Sequence, residues 1–230
     1  MPHIDFSFAT DPYLPLEASY ELTRKCLEVC VDFRVPVGVI TKSPLVTRDI
    51  DLLQKLNVSV YFSLPFLTKE KSNPFEPYTP VPEVRFKAMK QIADAGIPVG
   101  IAVAPVIPGY NESDIPGLLE RAKECGATHA FMSMLHIDSD SIEEYFVAKM
   151  NERLPATRVK KIINTMKRER GGKLQHESYK ARMTGRTEQW EVTKKLFDFH
   201  ARRLGFRGDE AVVEVDEPET KTVLQQQSFF

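Results

Sequence analysis

Short apolar runs alternate with polar turns and amphipathic stretches through the first part of the chain. The apolar runs begin near residues 4, 37, 58, 97 and 128, and a segment with helical periodicity follows each turn. Strands that alternate with helices at this spacing are typical of a parallel sheet with right-handed crossovers. The pattern therefore predicts an α/β fold with about five parallel strands, open or closed toward a barrel.

Amphipathic helices are predicted between these strands. They cover residues 17–33, 48–56, 83–95 and 112–125. Thr47 is a candidate N-cap of the second helix. The third is expected to turn Val84, Met89 and Ile92 inward and to end at Gly96. The proline-containing stretch before it, residues 66–82, is expected to be a long loop that lines a site or is mobile.

After residue 139 the pattern changes to long helices, predicted at residues 142–154, 156–170 and 187–204. We therefore divide the chain into a partial barrel (1–139), a C-terminal helical extension (140–207) and a disordered tail (208–230) with a glutamine run and scattered acids. The basic, glycine-rich link at residues 168–173 is compatible with phosphate binding, but a solvated turn is favoured.

Polar side chains stand where the predicted strands end. They are Asp11, Lys42, Ser63, Asn111 and His136. Because the carboxyl ends of parallel strands meet at one edge of a sheet, where ligands bind in such folds, we expect these side chains to converge. Pro12 ends the first apolar run and makes Thr10 and Asp11 part of a turn. The competing interpretation of Thr10 and Asp11 is a well-capped structural turn.

Composition and charge narrow the choice of function. The 230 residues are 42% hydrophobic and carry a formal net charge of −1, which suits one large domain and gives no electrostatic support for nucleic-acid binding. No apolar run approaches the roughly 20 residues needed to cross a bilayer. With three cysteines and no signal peptide, we expect a cytoplasmic protein without a disulfide framework.

The cysteines and histidines offer little metal chemistry. Cys26 and Cys30 lie four residues apart on a predicted helix, which permits a metal pair, but two thiols without a third ligand make a poor zinc or cluster site. Two small buried side chains are the favoured interpretation. Among the histidines, His129 is expected to pack within a strand, and His136, at a strand end, is the candidate for function.

Several segments carry a resemblance to a known family. They are residues 9–13 with Pro15 and Glu17, then 22–28, 39–43, 104–111 and 170–174. Together they resemble the radical S-adenosylmethionine proteins related to spore photoproduct lyase, some of which are called DNA repair photolyases. The resemblance runs from about residue 6 to residue 206, and its most specific parts are the Thr-Asp-Pro-Tyr and Ala-Pro-Val-Ile-Pro-Gly segments.

The resemblance implies a partial (β/α)6 barrel that holds a [4Fe-4S] cluster and S-adenosylmethionine at its carboxyl rim. It assigns the amino group of the cofactor to Asp11, its carboxylate to Lys42, and its hydroxyls to Thr10 and Ser63. Further rim contacts are expected from Tyr13, Glu17, Gly109, Asn111 and His136. In the family, the reduced cluster cleaves the cofactor, and the radical formed abstracts a substrate hydrogen while the protein orients and shields it.

The sequence departs from the family at the cluster. The family ligands form a Cys-x3-Cys-x2-Cys loop after the first barrel strand, whereas Cys26-x3-Cys30 is followed by Phe33 and lies in the helix after the second. We therefore expect no metal ligands in this chain, and by the resemblance we expect it to begin at the second barrel strand and to need an N-terminal segment or a partner chain. Ala9 replaces the hydrogen-donating cysteine of the lyase, which argues against lesion reversal by that route.

Two functions remain open. The first is the S-adenosylmethionine-holding portion of a radical enzyme, inactive as this chain alone. The second is a non-catalytic, degenerate barrel that binds a nucleotide or a partner chain. A small-molecule cofactor is the expected partner, the family also suggests nucleic acid, and no membrane is expected.

Overall fold

The computed structural model describes residues 3–6, 10–175 and 182–207, and five strands within these ranges form one sheet. The strands are β1 (Ile4–Phe6), β2 (Val37–Thr41), β3 (Val58–Ser63), β4 (Val99–Val106) and β5 (His129–Met134). They lie in chain order, and each pairs with the next in parallel. The predicted α/β fold with five parallel strands is confirmed, and the sheet is open, as in a partial barrel.

Helices connect the strands and continue after β5. They are α1 (Glu17–Tyr20), α2 (Leu22–Asp32), α3 (Ile50–Leu53), α4 (Lys69–Ser72), α5 (Pro82–Asp94), α6 (Ile115–Glu124), α7 (Asp140–Arg153), α8 (Ala156–Glu169) and α9 (Glu188–Arg203). Two 3-10 helices, Pro44–Asp49 and Glu112–Asp114, precede α3 and α6. None of the helices within the described ranges combines the length and the apolar character that a membrane span requires.

Local details differ from the sequence predictions at helix ends. The first predicted helix is two helices, because Glu21 between them has a left-handed φ of 54°. Thr47 is not an N-cap, since the 3-10 helix starts earlier and the Ser43 side chain caps it. The predicted long loop contains α4, which begins after its cap Thr68. Gly96 ends α5 with a φ of 79°, as predicted.

The two faces of the sheet differ in character. Since side chains alternate along a strand, Val60 and Phe62 lie on one face of the sheet, where both are fully buried in the main core, while Tyr61 and Ser63 lie on the opposite face. Small residues accompany them there: Gly100 lies opposite Tyr61, and Ala102 lies opposite Ser63. The Tyr61 ring fills the space above Gly100, where an added Cβ would lie 2.5 Å from Cε1 of the ring.

The helices after β5 pack against the loops at the carboxyl ends of the strands. A second apolar cluster, separate from the main core, contains Phe66, Ile107, Ile137, Met150, Val159, Ile162, Met166 and Leu174. These residues come from the segments after β3, β4 and β5 and from α7, α8 and the turn that follows α8. The division of the chain at residue 139 stays a prediction, and the tail predicted from residue 208 lies outside the described residues.

Two predictions about buried side chains are wrong. Val84 of α5 is 41% exposed, and its neighbour Arg85, a charged residue, is 1% exposed. Cys30 is buried, but Cys26 is exposed, so the two cysteines do not share a packed face. The turn predicted at residues 168–173 is present, with Gly171 and Gly172 exposed at positive φ.

Candidate functional site

The turn after β1 is tied to the end of β2 through one carboxylate. Oδ1 of Asp11 accepts hydrogen bonds from the backbone N–H of Tyr13 at 2.9 Å and the hydroxyl of Thr41 at 2.6 Å. Oδ2 accepts from the backbone N–H of Lys42 at 2.7 Å. These bonds fix the turn at the carboxyl edge of the sheet, which we call the rim.

The side chain of Lys42 leaves the end of β2 with its ammonium group accessible. Its Nζ lies 3.4 Å from Oε1 of Glu76, and about a third of the side chain is exposed. Lys42 thus contributes its backbone to the Asp11 contact and keeps its charge available at the rim.

Ser63 occupies the end of β3 and is bound on both sides. Its hydroxyl donates to the carbonyl oxygen of Ala104 at 2.9 Å, and its own carbonyl accepts from Nη1 of Arg85 at 2.8 Å. The Arg85 guanidinium is also bonded to Glu76, whose other oxygen faces Lys42. Asp11, Lys42 and Ser63 therefore lie along the same edge, at the ends of three adjacent strands, and a bonded path connects the last two.

Glu17 lies in a buried ionic cluster beside the rim. Its Oε1 accepts from Nη2 of Arg48 at 2.9 Å, and Arg48 also bonds to the fully buried Asp49, which Arg24 contacts from α2. Burial alone would raise the pKa of the Glu17 carboxyl, but hydrogen bonds from the backbone N–H groups of Thr23 and Arg24 and from Arg48 outweigh it and lower the pKa. The carboxylate is thus held ionised by its fold partners.

Tyr13 packs beside the same cluster. Its side chain is 1% exposed, and burial, followed by the neighbouring Asp49 carboxylate, raises the pKa of the phenol. The ring is also a member of the main apolar core. Tyr13 and Glu17 are thus both held by neighbours within the fold, and their expected contacts with a ligand at the rim stay predictions.

The loop after β4 is fastened internally by Asn111. Its Oδ1 accepts from the backbone N–H of Ile107 at 2.6 Å, and its Nδ2 donates to the carbonyl oxygens of Pro65 at 2.7 Å and Pro105 at 3.1 Å. Gly109, with a φ of 86°, lies so close to α8 that an added Cβ would be 3.1 Å from Oγ1 of Thr165. Both residues shape the loop from within.

The remaining predicted rim residues lie at the surface. Thr10 is exposed at the start of the turn. His136 follows β5, and its Nε2 lies 3.7 Å from Oδ2 of Asp138, with 38% of the imidazole side chain exposed. His129 is partly buried in β5 against the ring of Tyr61, at a centroid distance of 6.4 Å.

Sequence reasoning missed Thr41, Glu76 and Arg85. Thr41 was overlooked because it is the last residue of an apolar strand. Its position directly before Lys42, at the end of that strand, could have identified it. Glu76 and Arg85 carry no such signal, because one lies in a proline-containing loop and the other in an amphipathic helix.

The donor set in this chain does not fit an iron-sulfur cluster. The three cysteines are split between α2, which carries Cys26 and Cys30, and Cys125 at the end of α6. Burial, then the nearby Cys26, raises the pKa of Cys30 and disfavours the thiolate that metals bind. Within residues 3–6, 10–175 and 182–207, no three His, Cys, Asp or Glu side chains are grouped as metal ligands.

An open parallel sheet with polar groups at its carboxyl rim defines an α/β protein of the partial-barrel type, in which ligands are expected at that rim. The model of the Radical SAM superfamily matches residues 6–122, half of the chain, and the chain belongs to this superfamily.

Similar proteins extend beyond the region that matches this chain. ORF301 of Acidianus two-tailed virus, an uncharacterized protein, is 31% identical over 133 residues, which are 55% of this chain and 44% of the relative. The uncharacterized protein MJ0683 of Methanocaldococcus jannaschii is 33% identical over 106 residues, 46% of this chain and 40% of the relative. The match thus spans less than half the length of these relatives.

Solved structures with a similar fold come from spore photoproduct lyase. One is complexed with dinucleoside spore photoproduct, and another, a mutant, has bound AdoMet and dinucleoside spore photoproduct. Each aligns with a TM-score of 0.62 and 17% identity over 90% of this chain and 60% of the lyase chain. At this identity the likeness establishes a shared fold.

Proposed function

We propose that the rim binds S-adenosylmethionine and that this chain is the cofactor-holding portion of a radical S-adenosylmethionine enzyme. The observation that carries the proposal is the Asp11 carboxylate, whose bonds to the Thr41 hydroxyl and the Lys42 backbone N–H bring Asp11 and Lys42 to the same carboxyl edge of the sheet. Superfamily membership and the AdoMet bound to a protein of similar fold support it.

The rim offers charges that complement an amino acid. The ammonium of Lys42 suits the carboxylate of the cofactor, because a charge-assisted hydrogen bond of this kind is stronger than a neutral one. Oδ2 of Asp11 accepts one hydrogen bond and keeps acceptor capacity for the amino group. The hydroxyl of Ser63 donates to Ala104 and can accept a bond from a ribose hydroxyl, and Thr10 adds an exposed hydroxyl.

Bound S-adenosylmethionine supplies a sulfonium whose reductive cleavage begins the chemistry of the superfamily. The residues described here bind and orient that cofactor and do not fit the cluster that reduces it. The electron donor therefore has to come from outside them, through further sequence or a partner chain.

A non-catalytic binding module is the second candidate. The poor fit of the three cysteines to a cluster favours it, and the rim groups would then serve ligand binding alone. Anaerobic reconstitution with iron and sulfide separates the candidates: an iron-sulfur chromophore on this chain contradicts our assignment of the donor set.

Calorimetric titration with S-adenosylmethionine tests the proposal. We expect binding to the unaltered chain and about tenfold weaker binding to Lys42→Ala, the effect of losing one charged hydrogen bond. The matched control is Lys90→Ala, which removes an exposed ammonium paired with Asp94 on α5. Absence of binding, or equal binding by Lys42→Ala, would overturn the proposal.

A further inference from the structure

A carboxylate from the loop between β3 and α5 reaches the rim. Oε1 of Glu76 lies 3.4 Å from Nζ of Lys42, and the Glu76 side chain is only 10% exposed. A surface ion pair between two long, mobile side chains contributes little. This pair differs, because one of its members is largely shielded from water and is held from behind.

Arg85 holds Glu76 from behind. Its Nη2 bonds to Oε2 of Glu76 at 2.6 Å and to Oγ1 of Thr79 at 2.6 Å, and its Nε donates to the carbonyl of Pro80 at 2.7 Å. The remaining arm binds the carbonyl of Ser63, so the guanidinium connects strand, loop and helix. Since Oε2 is occupied, Oε1 is the oxygen left for Lys42.

The charges along this path leave one positive charge in excess. Arg85 is buried at 1% exposure and is neutralised by Glu76, while Lys42 adds a second cation at the accessible end. A lysine ammonium has three donors, so it can contact Glu76 and an incoming carboxylate at the same time. Holding the ammonium at the rim before the ligand arrives removes part of the entropy lost on ordering a long side chain.

We infer that Glu76 is a positioning residue, which holds the ammonium of Lys42 at the rim so that it meets the carboxylate of the ligand. This inference rests on the proposed function for the role of Lys42. It also explains a role for residues of the long loop. Thr79 and Pro80 accept hydrogen bonds from Arg85, and Arg85 in turn holds Glu76.

Glu76→Gln separates positioning from folding. The amide oxygen can still accept from Arg85, whereas the amide nitrogen carries only donors and cannot hold the ammonium of Lys42. The matched control is Glu83→Gln, which removes a carboxylate of α5 that is paired with Arg121 and does not contact Lys42 or Arg85. If the loss of any arginine-paired carboxylate were enough, both substitutions would have similar effects.

The first measurement needs no ligand. The rate at which each lysine is acetylated in the native protein is measured by mass spectrometry. This rate rises when an amine is released from its ionic partner. We expect Lys42 to react about 3- to 10-fold faster in Glu76→Gln, the factor that corresponds to releasing one ordered side chain. Lys90, which keeps its partner Asp94, should react at the same rate in every variant. An unchanged rate at Lys42 would overturn the inference regardless of the cofactor.

The second measurement is calorimetric binding of S-adenosylmethionine to the unaltered chain, Glu76→Gln, Lys42→Ala and the double variant. We expect Glu76→Gln to weaken binding about 3- to 10-fold and to have no further effect once Lys42 is alanine, because it acts through that residue. Weakening that persists in the double variant, or that Glu83→Gln reproduces, would overturn the inference. Absence of binding by the unaltered chain refutes the proposed function, and the acetylation rates then decide the positioning role alone.

Discussion

Oδ1 of Asp11 accepts a hydrogen bond from the hydroxyl of Thr41 at 2.6 Å, although 30 residues separate the two in sequence. With the backbone N–H of Lys42 bound to Oδ2, the carboxylate joins the end of β2 to the turn that follows β1. This side-chain contact, at the carboxyl end of the β1–β2 ladder, positions the first part of the rim.

Asp11→Asn should therefore lower both stability and cofactor affinity. The amide replaces one accepting oxygen by a donor, which leaves at least one of three N–H or O–H groups without its partner. We expect a loss of about 1–3 kcal/mol in the free energy of unfolding, measured by urea denaturation. Asp32→Asn, at the exposed end of α2, is the control and should change little. Equal stability of both variants would contradict this role of Asp11.

Asn111→Ala should loosen the loop after β4. The variant leaves the backbone N–H of Ile107 and the carbonyls of Pro65 and Pro105 without a partner at a site that is 1% exposed. Because buried unsatisfied groups are costly, we expect a loss of about 3 kcal/mol in urea denaturation. Asn151→Ala, on an exposed position of α7, should be near neutral and serves as the reference.

The Asp49 cluster should govern acid stability. Burial acts to raise the pKa of Asp49, but hydrogen bonds from Arg48 and Arg24 outweigh it and lower the pKa. A carboxyl with a depressed folded-state pKa stabilises the protein above its unfolded pKa of about 4, and this contribution disappears as the pH falls through the folded-state pKa. Glu17, whose pKa is also lowered, adds to the same dependence.

Asp49→Asn should lower stability by about 3 kcal/mol at neutral pH, because two arginines lose a shared buried partner. The variant should also lose less stability than the unaltered chain on acidification below about pH 4. Urea denaturation at neutral and acid pH measures both effects. Glu28→Gln, which removes an exposed partner of Arg24, is the control, and a parallel pH profile for Asp49→Asn would refute the assignment.

Two glycine substitutions should have opposite outcomes. In Gly100→Ala, the new Cβ would lie 2.5 Å from Cε1 of Tyr61 and 3.0 Å from the backbone oxygen of His129, which we expect to cost about 1–3 kcal/mol. In Gly117→Ala, the near atom is a methyl of Leu67 at 2.9 Å, which can rotate away, and alanine favours the helix by about 1 kcal/mol. Thermal denaturation of both variants tests this contrast, and equal destabilisation would contradict it.

The sequence was sufficient for the sheet and its rim. Apolar runs bounded by glycine, proline and polar turns determine strands, and parallel order then places Asp11, Lys42 and Ser63 at one edge. Their cofactor roles stay a proposal. The partners of individual side chains were not predictable from the sequence: Glu17 accepts a hydrogen bond from Arg48, and Asn111 donates to the carbonyl of Pro65. The ligand contacts expected of these two residues stay predictions.

The predictions about helix caps and helix faces were wrong for local reasons. Thr47 and Ser43 are both good caps, and the choice between them depends on Pro44, which favours the first helical position. Arg85 looks solvent-exposed from its charge, but four acceptors drawn from β3 and the preceding loop surround it. Such acceptors come together only in the folded chain, so periodicity cannot reveal them.

The backbone and the side chain of Lys42 make separate contacts. Its N–H donates to Asp11, a bond that any residue except proline supplies, while its ammonium lies 3.4 Å from Oε1 of Glu76. Under the proposed function, replacing this side chain should therefore change which ligands bind without repacking the interior, so position 42 is a suitable starting point for redesigning ligand selectivity.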